Sequence, residues 1–168
     1  MRTRQRERDQ PGPPAPWNEI RPHLWMGGHE WLDPAGELRA AVVTNQFDLV
    51  ISLFTRDGHG PDPGVEHLIF EIPDAALVPG QIDGVRRLGA IAAEAVREQR
   101  NTLVRCHSGY NRSGLVVAQA LLDLGQTARD AIALIRARRS PYALNNELYV
   151  AYLDSGLDVA SLLTGLDA

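Results

Sequence analysis

The chain has 168 residues, of which 44% are apolar, and a formal net charge of -4, which suits a single domain with its own core. The acidic balance argues against general affinity for nucleic acid, and no apolar segment reaches the roughly 20 residues that span a bilayer. The single cysteine, Cys106, excludes an internal disulfide. With no apolar leader, we expect a cytoplasmic protein.

All 17 cationic residues are arginines. The absence of lysine excludes Schiff-base chemistry and the lysine-dependent nucleotide P-loop. The same bias is typical of a GC-rich, bacterial coding sequence.

The N-terminal third begins with an Arg- and Pro-rich segment. Residues 1–16 combine four arginines with a run of prolines, which predicts a disordered tail with nothing buried. Residues 17–168 are then one globular domain. Within it, the apolar residues of 17–28 lead to a Gly-Gly pair and predict an edge strand closed by a turn. The Asp-Pro pair that opens residues 33–43 is typical of a helix start, so we predict a weak helix there.

The rest of the chain alternates strand and helix patterns. We predict strands at residues 47–54, 65–72 and 101–104, and helices at 81–99, 113–124, 127–140 and 145–153, the last capped by Asn145 or Asn146 and followed by a short apolar turn. This alternation predicts an α/β fold with a central, largely parallel twisted sheet of about four to five strands flanked by helices. Because ligands bind beyond the carboxyl ends of such strands, we expect Phe54, Asp74 and Cys106 on one rim.

The stretch from Leu103 to Leu115 joins the last predicted strand to an apolar helix. Cys106 lies at this junction, and five residues separate it from Arg112. A loop of this size before a helix N-terminus presents several backbone N–H groups to one point, and the helix dipole adds partial positive charge there. We therefore expect an oxyanion site, in which the same field lowers the pKa of Cys106 below the free-cysteine value near ~8.5.

The pattern Cys-x5-Arg-Ser at Cys106, Arg112 and Ser113 resembles the signature of the cysteine-dependent protein tyrosine phosphatases, and most closely their compact dual-specificity branch. The likeness extends over nearly the whole globular part. The opening strand motif, the general-acid turn and the closing Arg-rich and Asn-containing helices of that branch resemble residues 20–27, 71–74 and 135–153. Asp74, in the second of these stretches, precedes Cys106 by 32 residues, a separation of the kind that the branch shows.

The resemblance implies a phosphomonoester hydrolase that acts on phosphotyrosine, and by extension on phosphoserine or phosphothreonine, without metal or other cofactor. Cys106 is the expected nucleophile, and the planar fork of Arg112 suits the non-bridging oxygens of phosphate. Asp74 is the expected general acid, and Ser113 is expected to bind the sulfur. The backbone of the loop would hold the remaining phosphate oxygens through His107, Ser108, Gly109, Tyr110, Asn111 and Arg112.

Several assignments leave alternatives open. Asp57 and Asp62 are rival acids because their loop is expected at the same rim. Ser113, Asn145 and Asn146 are equally typical of helix caps, although the asparagines also resemble the residue that supports the phosphate loop in the family.

One residue departs from the family pattern. Arg105 stands where the family commonly has a histidine that orients the loop, which puts catalytic efficiency in question more than identity.

The expected partner is a phosphorylated protein or a small phosphorylated molecule, with no nucleic acid or membrane. The loop interior carries no arginine or lysine, which disfavours highly phosphorylated inositol lipids. The competing hypotheses are a catalytically weak phosphate-binding module, a phosphatase of a small metabolite and a rhodanese-like sulfurtransferase. The physiological substrate and the oligomeric state are not predicted.

Overall fold

The computed structural model describes residues 10–166. The strands are β1 (Trp17–Arg21), β2 (Leu24–Gly27), β3 (Glu30–Leu32), β4 (Leu38–Ala40), β5 (Leu49–Ser52), β6 (Glu66–Ile69) and β7 (Thr102–Arg105). The helices are α1 (Pro79–Arg97), α2 (Arg112–Asp123), α3 (Ala128–Arg138), α4 (Glu147–Ser155) and α5 (Leu157–Leu166). None of these helices is both long enough and apolar enough to cross a membrane.

The main sheet has five strands in the order β1-β2-β7-β5-β6, and only β1 runs antiparallel to its neighbour. This arrangement confirms the predicted α/β fold with a largely parallel sheet. In the register of the sheet, Arg105 at the end of β7 faces Gly27 on one side and Ser52 on the other. The carboxyl ends of the three central strands therefore meet at one edge, directly before Cys106.

The helices cover one face of the sheet and form the main core. Nearly all of α2 is buried, as its apolar sequence predicts, and α1 packs against both α2 and α5. The main core includes Cys106 itself. A smaller cluster on the opposite face contains Val43, Phe47, Val50 and Leu103.

Three local predictions differ from the structure. Residues 17–28 form two strands, because the chain reverses at His23, whose φ is 72°. Residues after Gly156 form α5, since Leu157 and Ala160 are buried in the main core.

The third difference concerns residues 33–43, which form the turn of the β3–β4 hairpin, strand β4 and the residues after it, and not a helix. The Oδ1 atom of Asp33 accepts hydrogen bonds from the backbone N–H groups of Ala35 (3.0 Å) and Glu37 (2.9 Å). Such local side-chain bonds compete with a helix, and Gly36 at φ 80° completes the turn.

Residues 10–16, the described part of the proline-rich segment, also differ from the prediction that nothing in this segment is buried. Pro13 is buried, and the carbonyl groups of Pro11, Pro13 and Ala15 accept hydrogen bonds from Tyr110, Leu32 and Arg139. Proline lacks an N–H group but keeps its carbonyl, so a proline-rich strand can still bind a domain through acceptors. Residues 1–9 of the predicted tail lie outside the described residues.

Candidate active site

Residues 106–112, hereafter the cysteine loop, form the tight turn after β7 and include the first residue of α2. Four successive carbonyl oxygens of this loop accept hydrogen bonds from outside it. The donors are His29 N to His107 O (2.7 Å), Arg139 Nη2 to Ser108 O (3.0 Å), Arg139 Nε to Gly109 O (3.1 Å) and Leu144 N to Tyr110 O (3.0 Å). The carbonyl and the following N–H of a trans peptide point in opposite directions. The N–H groups of residues 108–111 therefore face the inside of the turn.

Arg139 is the side chain that contributes most to this arrangement. It follows α3, is only 4% exposed, and binds Ala15 O and Asn18 Oδ1 at 2.8 Å each in addition to the two loop carbonyls. In the sequence, Arg139 belongs to the Arg-rich stretch that was predicted to be helical. Nothing in the local sequence distinguishes it from its neighbour Arg138, which is exposed.

Two glycines, Gly28 and Gly109, allow the end of β2 and the cysteine loop to approach each other closely. Gly109 has φ 77°, and a Cβ at this position would lie 2.5 Å from the carbonyl carbon and oxygen of Gly27. A Cβ on Gly28 would lie 2.6 Å from the carbonyl oxygen of His107. The close approach of the loop thus depends on Gly28, one member of the Gly-Gly pair that was predicted to form a turn.

Cys106 lies at the base of the loop and is fully buried. Its Sγ atom is 3.3 Å from the Oγ atom of Ser113, in the first turn of α2. The N-terminus of α2 therefore points its partial positive charge toward the sulfur.

Arg112 lies in the cysteine loop and contacts the other two segments of the rim, the one after β5 and the one that leads to Asp74. Its Nη1 donates to the carbonyl of Ile72 (3.3 Å), and its guanidinium carbon lies 5.4 Å from the centroid of the Phe54 ring. This distance permits a cation–π interaction. The guanidinium is thus placed between the segment that leads to Asp74 and the end of β5.

Asp74 is 3% exposed and belongs to an asparagine network. Its Oδ2 accepts from the amide of Asn111 (3.0 Å), and its Oδ1 accepts from the amide of Asn146 (2.9 Å). The backbone N–H of Asn146 donates to Oδ1 of Asn111 (3.0 Å), while the Asn146 side chain also caps α4 at Leu148 N (3.1 Å). Asn146 therefore has both of the roles considered from sequence. Asn145 accepts from Asn111 at 3.2 Å.

The other predicted residues are placed differently. Tyr110 is 1% exposed and donates to Pro11 O (2.6 Å), so its ring packs into the domain and is not available to stack on a ligand. His107 lies at the rim with its ring edge-on to Phe54, and its Nδ1 is 3.3 Å from Ser108 Oγ. Among the described residues, the cysteine loop has no hydrogen bond or ion pair with the carboxylate of Asp57 or of Asp62, in contrast to Asp74.

Arg105 points away from the sulfur. Its Nε donates to Ser52 Oγ (3.0 Å), and its Nη1 and Nη2 donate to the carbonyls of His59 (3.0 Å) and Gly60 (2.6 Å). Burial lowers the pKa of Arg105 to about 10, so the side chain stays charged at neutral pH. The residue that departs from the family pattern therefore holds the loop that follows β5.

A buried histidine pair supports the same loop. The Nε2 atom of His29 is 2.9 Å from the carbonyl of Phe54, and the Nδ1 atoms of His29 and His59 are 3.2 Å apart. Burial, with the nearby Arg105 charge, lowers the pKa of His29 to about 3. His29 is therefore neutral and donates from Nε2, which leaves its Nδ1 to accept from His59.

Within residues 10–166, no group of three or more His, Cys, Asp or Glu side chains is arranged to hold a metal ion.

Comparison with known proteins places this arrangement among phosphatase folds. No protein-family model matches the chain, and no curated protein sequence matches it. Human DUSP28 matches with 22% identity and a TM-score of 0.63, over 88% of this chain and 99% of that one. Tk-PTP in its active form matches with 26% identity and a TM-score of 0.58, over 84% and 97%. The tyrosine phosphatase OH1 of Orf virus matches with 18% identity and a TM-score of 0.59, over 84% and 86%.

The chain therefore has the fold of the dual-specificity and tyrosine phosphatases. These neighbours support the superfamily that the Cys-x5-Arg-Ser pattern predicts, whereas a bacterial origin stays a prediction.

Proposed function

We propose that the chain is a phosphomonoester hydrolase that acts through a phosphocysteine intermediate, on phosphotyrosine and on phosphoserine or phosphothreonine of proteins. The observation that supports this most strongly is that four successive carbonyls of the cysteine loop accept hydrogen bonds from outside the loop. The N–H groups that follow them therefore point inward, above Cys106. A phosphate monoester carries two negative charges that repel an anionic nucleophile, so an array of N–H dipoles at this point is what the reaction requires.

In the first step, the Cys106 thiolate attacks phosphorus while the bond to the leaving oxygen breaks. The guanidinium of Arg112 binds two non-bridging oxygens, and the loop N–H groups bind the rest. Asp74 gives its proton to the leaving oxygen. A protonated carboxyl group keeps enough lone pairs to accept from both asparagine amides, so the network can orient Asp74 in either protonation state.

In the second step, water attacks the phosphocysteine. Asp74 takes a proton from that water, the sulfur–phosphorus bond breaks, and inorganic phosphate forms. The Ser113 hydroxyl, 3.3 Å from Sγ, donates a hydrogen bond to the leaving thiolate. Ser113 thus serves the second step more than the first.

A phosphate-binding module with little turnover is the second candidate. The observation that favours it is the burial of both reacting groups, since Cys106 is fully buried and Asp74 is 3% exposed. Both must meet substrate for the reaction to proceed.

Hydrolysis of para-nitrophenyl phosphate tests the proposal. The wild-type protein should turn it over with a bell-shaped pH profile, and Cys106→Ser should abolish turnover while it still binds vanadate. Acid quenching of the wild type during turnover should trap a phosphorylated Cys106, detected by mass spectrometry. Vanadate binding by the wild type without turnover between about pH 5 and 8 would establish the binding module instead.

Substrate class is tested separately with phosphopeptides and small phosphorylated metabolites. The proposal predicts higher kcat/KM on phosphopeptides. A preference for one metabolite over every phosphopeptide would replace the protein substrate with that molecule.

A further inference from the structure

A cleft of about 390 Å³ lies beside the cysteine loop and is not used by the proposed reaction. We name it the arginine cleft, and its lining includes Arg56, Asp57, His67, Ile69 and Arg105. Two of these residues connect it to the candidate active site. Arg105 directly precedes Cys106 in the chain, and Nη2 of Arg56 lies 3.4 Å from Nε2 of His107.

Arg105 forms the buried base of this cleft and has no counter-charge. Its side chain is 1% exposed and donates to one hydroxyl and two carbonyls, and within residues 10–166 no carboxylate forms an ion pair with it. Burial alone accounts for its lowered pKa. Three of the five guanidinium N–H groups are used in these bonds. A buried cation that has only neutral acceptors keeps its full charge, and an anion nearby would offset its desolvation cost.

The neighbouring groups are also suited to an anion. Ser52 Oγ accepts from Arg105 and lies 2.7 Å from Nε2 of His67, so the serine hydroxyl connects the two side chains. Burial and the nearby Arg105 charge lower the pKa of His67, and a neutral imidazole has one N–H donor. Arg56 adds a second positive charge, although it pairs with Glu30. Asp57 is the one acidic residue of the lining.

We propose that the arginine cleft binds a second anionic group, a phosphate, sulfate or carboxylate, next to the cysteine loop. Where this anion is part of the substrate, the inference rests on the proposed function and specifies a substrate with a second negative group beyond its phosphate monoester. A free inorganic anion has the same chemistry and would occupy the same place. Anion binding itself does not depend on turnover.

A role for Arg105 in holding the loop of residues 53–64 explains its hydrogen bonds, but it does not explain why the arginine lines an open cleft. A Cβ on Gly60 would lie 1.8 Å from the carbonyl of Val43, so this loop is already held tightly against the strand side of the domain. A purely supporting Arg105 predicts no response to anions at the cleft. An anion site predicts a response that follows the charge at its rim.

Ile69 allows that charge to be changed without touching the cysteine loop. It is 58% exposed on β6 and lines the cleft. Ile69→Glu adds a negative charge, Ile69→Lys adds a positive one, and Ile69→Gln is the neutral control of matched size. All three replace an exposed apolar side chain, so the fold should be kept.

The test is an NMR titration of the full chain with inorganic sulfate, following the backbone amides of Gly58 and Gly60 in the cleft and of Gly109 in the cysteine loop. We expect two separate binding curves. Ile69→Glu should weaken sulfate affinity at Gly58 and Gly60 by roughly fivefold and Ile69→Lys should strengthen it similarly, as one exposed charge a few ångströms away would do. Ile69→Gln should match the wild type, and the Gly109 curve should be the same in all variants.

The proposal is overturned if Gly58 and Gly60 do not respond to sulfate, or if they follow the Gly109 curve whatever residue stands at 69. Neither result requires hydrolysis, so failure here is distinct from failure of the phosphatase reaction. The source of the anion is then read from KM. If it belongs to the substrate, Ile69→Glu raises KM for doubly phosphorylated peptides and leaves para-nitrophenyl phosphate unchanged. If it is a free anion, sulfate alters turnover of both substrates equally, and less in Ile69→Glu.

Discussion

The cysteine loop and the loop of residues 53–64 lie at the same edge of the sheet, and a buried arginine holds each by donating to backbone carbonyls. Arg139 binds the cysteine loop from outside and so turns its N–H groups inward. Arg105 binds the second loop from the strand beneath it, and its guanidinium lies at the buried base of the arginine cleft. The position of each arginine relative to its loop thus decides which charges are available at the surface. Beside Arg139 these are the N–H dipoles of the cysteine loop, and beside Arg105 it is the charge of the guanidinium itself.

Among the variants of the two loops and their supports, Arg112→Lys should cause the largest loss of phosphatase activity. Lysine keeps the charge but lacks the planar fork, so we expect kcat/KM for para-nitrophenyl phosphate to fall on the order of a thousandfold, with the fold intact by circular dichroism. Arg86→Lys, on the exposed side of α1, is the matched control and should retain wild-type activity. A loss of less than tenfold would mean that Arg112 is not the phosphate ligand.

Arg139→Gln tests the outside support of the cysteine loop. The variant leaves buried carbonyls without their charged donor, so the free energy of unfolding in urea should fall by about 3 kcal/mol, and KM should rise in the fraction that folds. Arg138→Gln changes an exposed neighbour and should shift stability by less than about 0.5 kcal/mol. Equal effects in the two variants would contradict the role given to Arg139.

Asp74→Asn tests whether the catalytic proton comes from Asp74 or from an aspartate in the loop of residues 53–64. The amide cannot donate a catalytic proton, so kcat should fall roughly a hundredfold and the alkaline limb of the pH profile should flatten. Asp62→Asn, in the second loop, should leave both unchanged. If instead the alkaline limb persists in Asp74→Asn, the acid lies at Asp57 or Asp62.

His29→Gln tests the buried histidine pair that supports the second loop. The folded pKa of His29, about 3, is below the unfolded value of 6.5, so the folded state binds fewer protons and stability falls as the pH drops below 6.5. Between pH 6.5 and 5 the wild type should lose up to about 2 kcal/mol of unfolding free energy from this group, and His29→Gln should lose less over the same interval. The control variant is His23→Gln, at a partly exposed ring outside the buried pair. The same pH dependence in His29→Gln would assign the loss to other groups.

Much of the fold could be predicted because its signals are local. The apolar pattern of α2, the amphipathic pattern of α1 and the cap of α3 by Thr127, which accepts from Asp130 N at 3.2 Å, all depend on neighbours in sequence. The prediction failed at residues 33–43 because the Asp-Pro start of a helix and the Asp turn of a hairpin share the same residue type, and only pairing between β3 and β4 distinguishes them.

The candidate site shows the same division. The spacing of Cys106, Arg112 and Ser113 identified the loop, and the structure brings Asp74 to it through Asn111, although the catalytic roles of these residues stay predictions. Arg139 and His29 were not found, because a buried arginine or histidine carries no local mark of its burial. The packing of the Tyr110 ring into the domain was not predictable either, because its partner Pro11 lies 99 positions away in the chain.

The sequence by itself determined the succession of strand, cysteine and helix start that predicts an anion-binding turn, because the pattern of residues 103–115 and the helix dipole are local features. Only the tertiary structure decided where the side chains of Arg139 and Arg105 lie relative to this turn. Arg139 and Arg105 are both arginines beside the same loop, yet one directs N–H groups inward and the other faces a separate cleft. That choice depends on contacts with Ser108 and Gly109 in one case and with His59 and Gly60 in the other, which chain topology alone brings within reach.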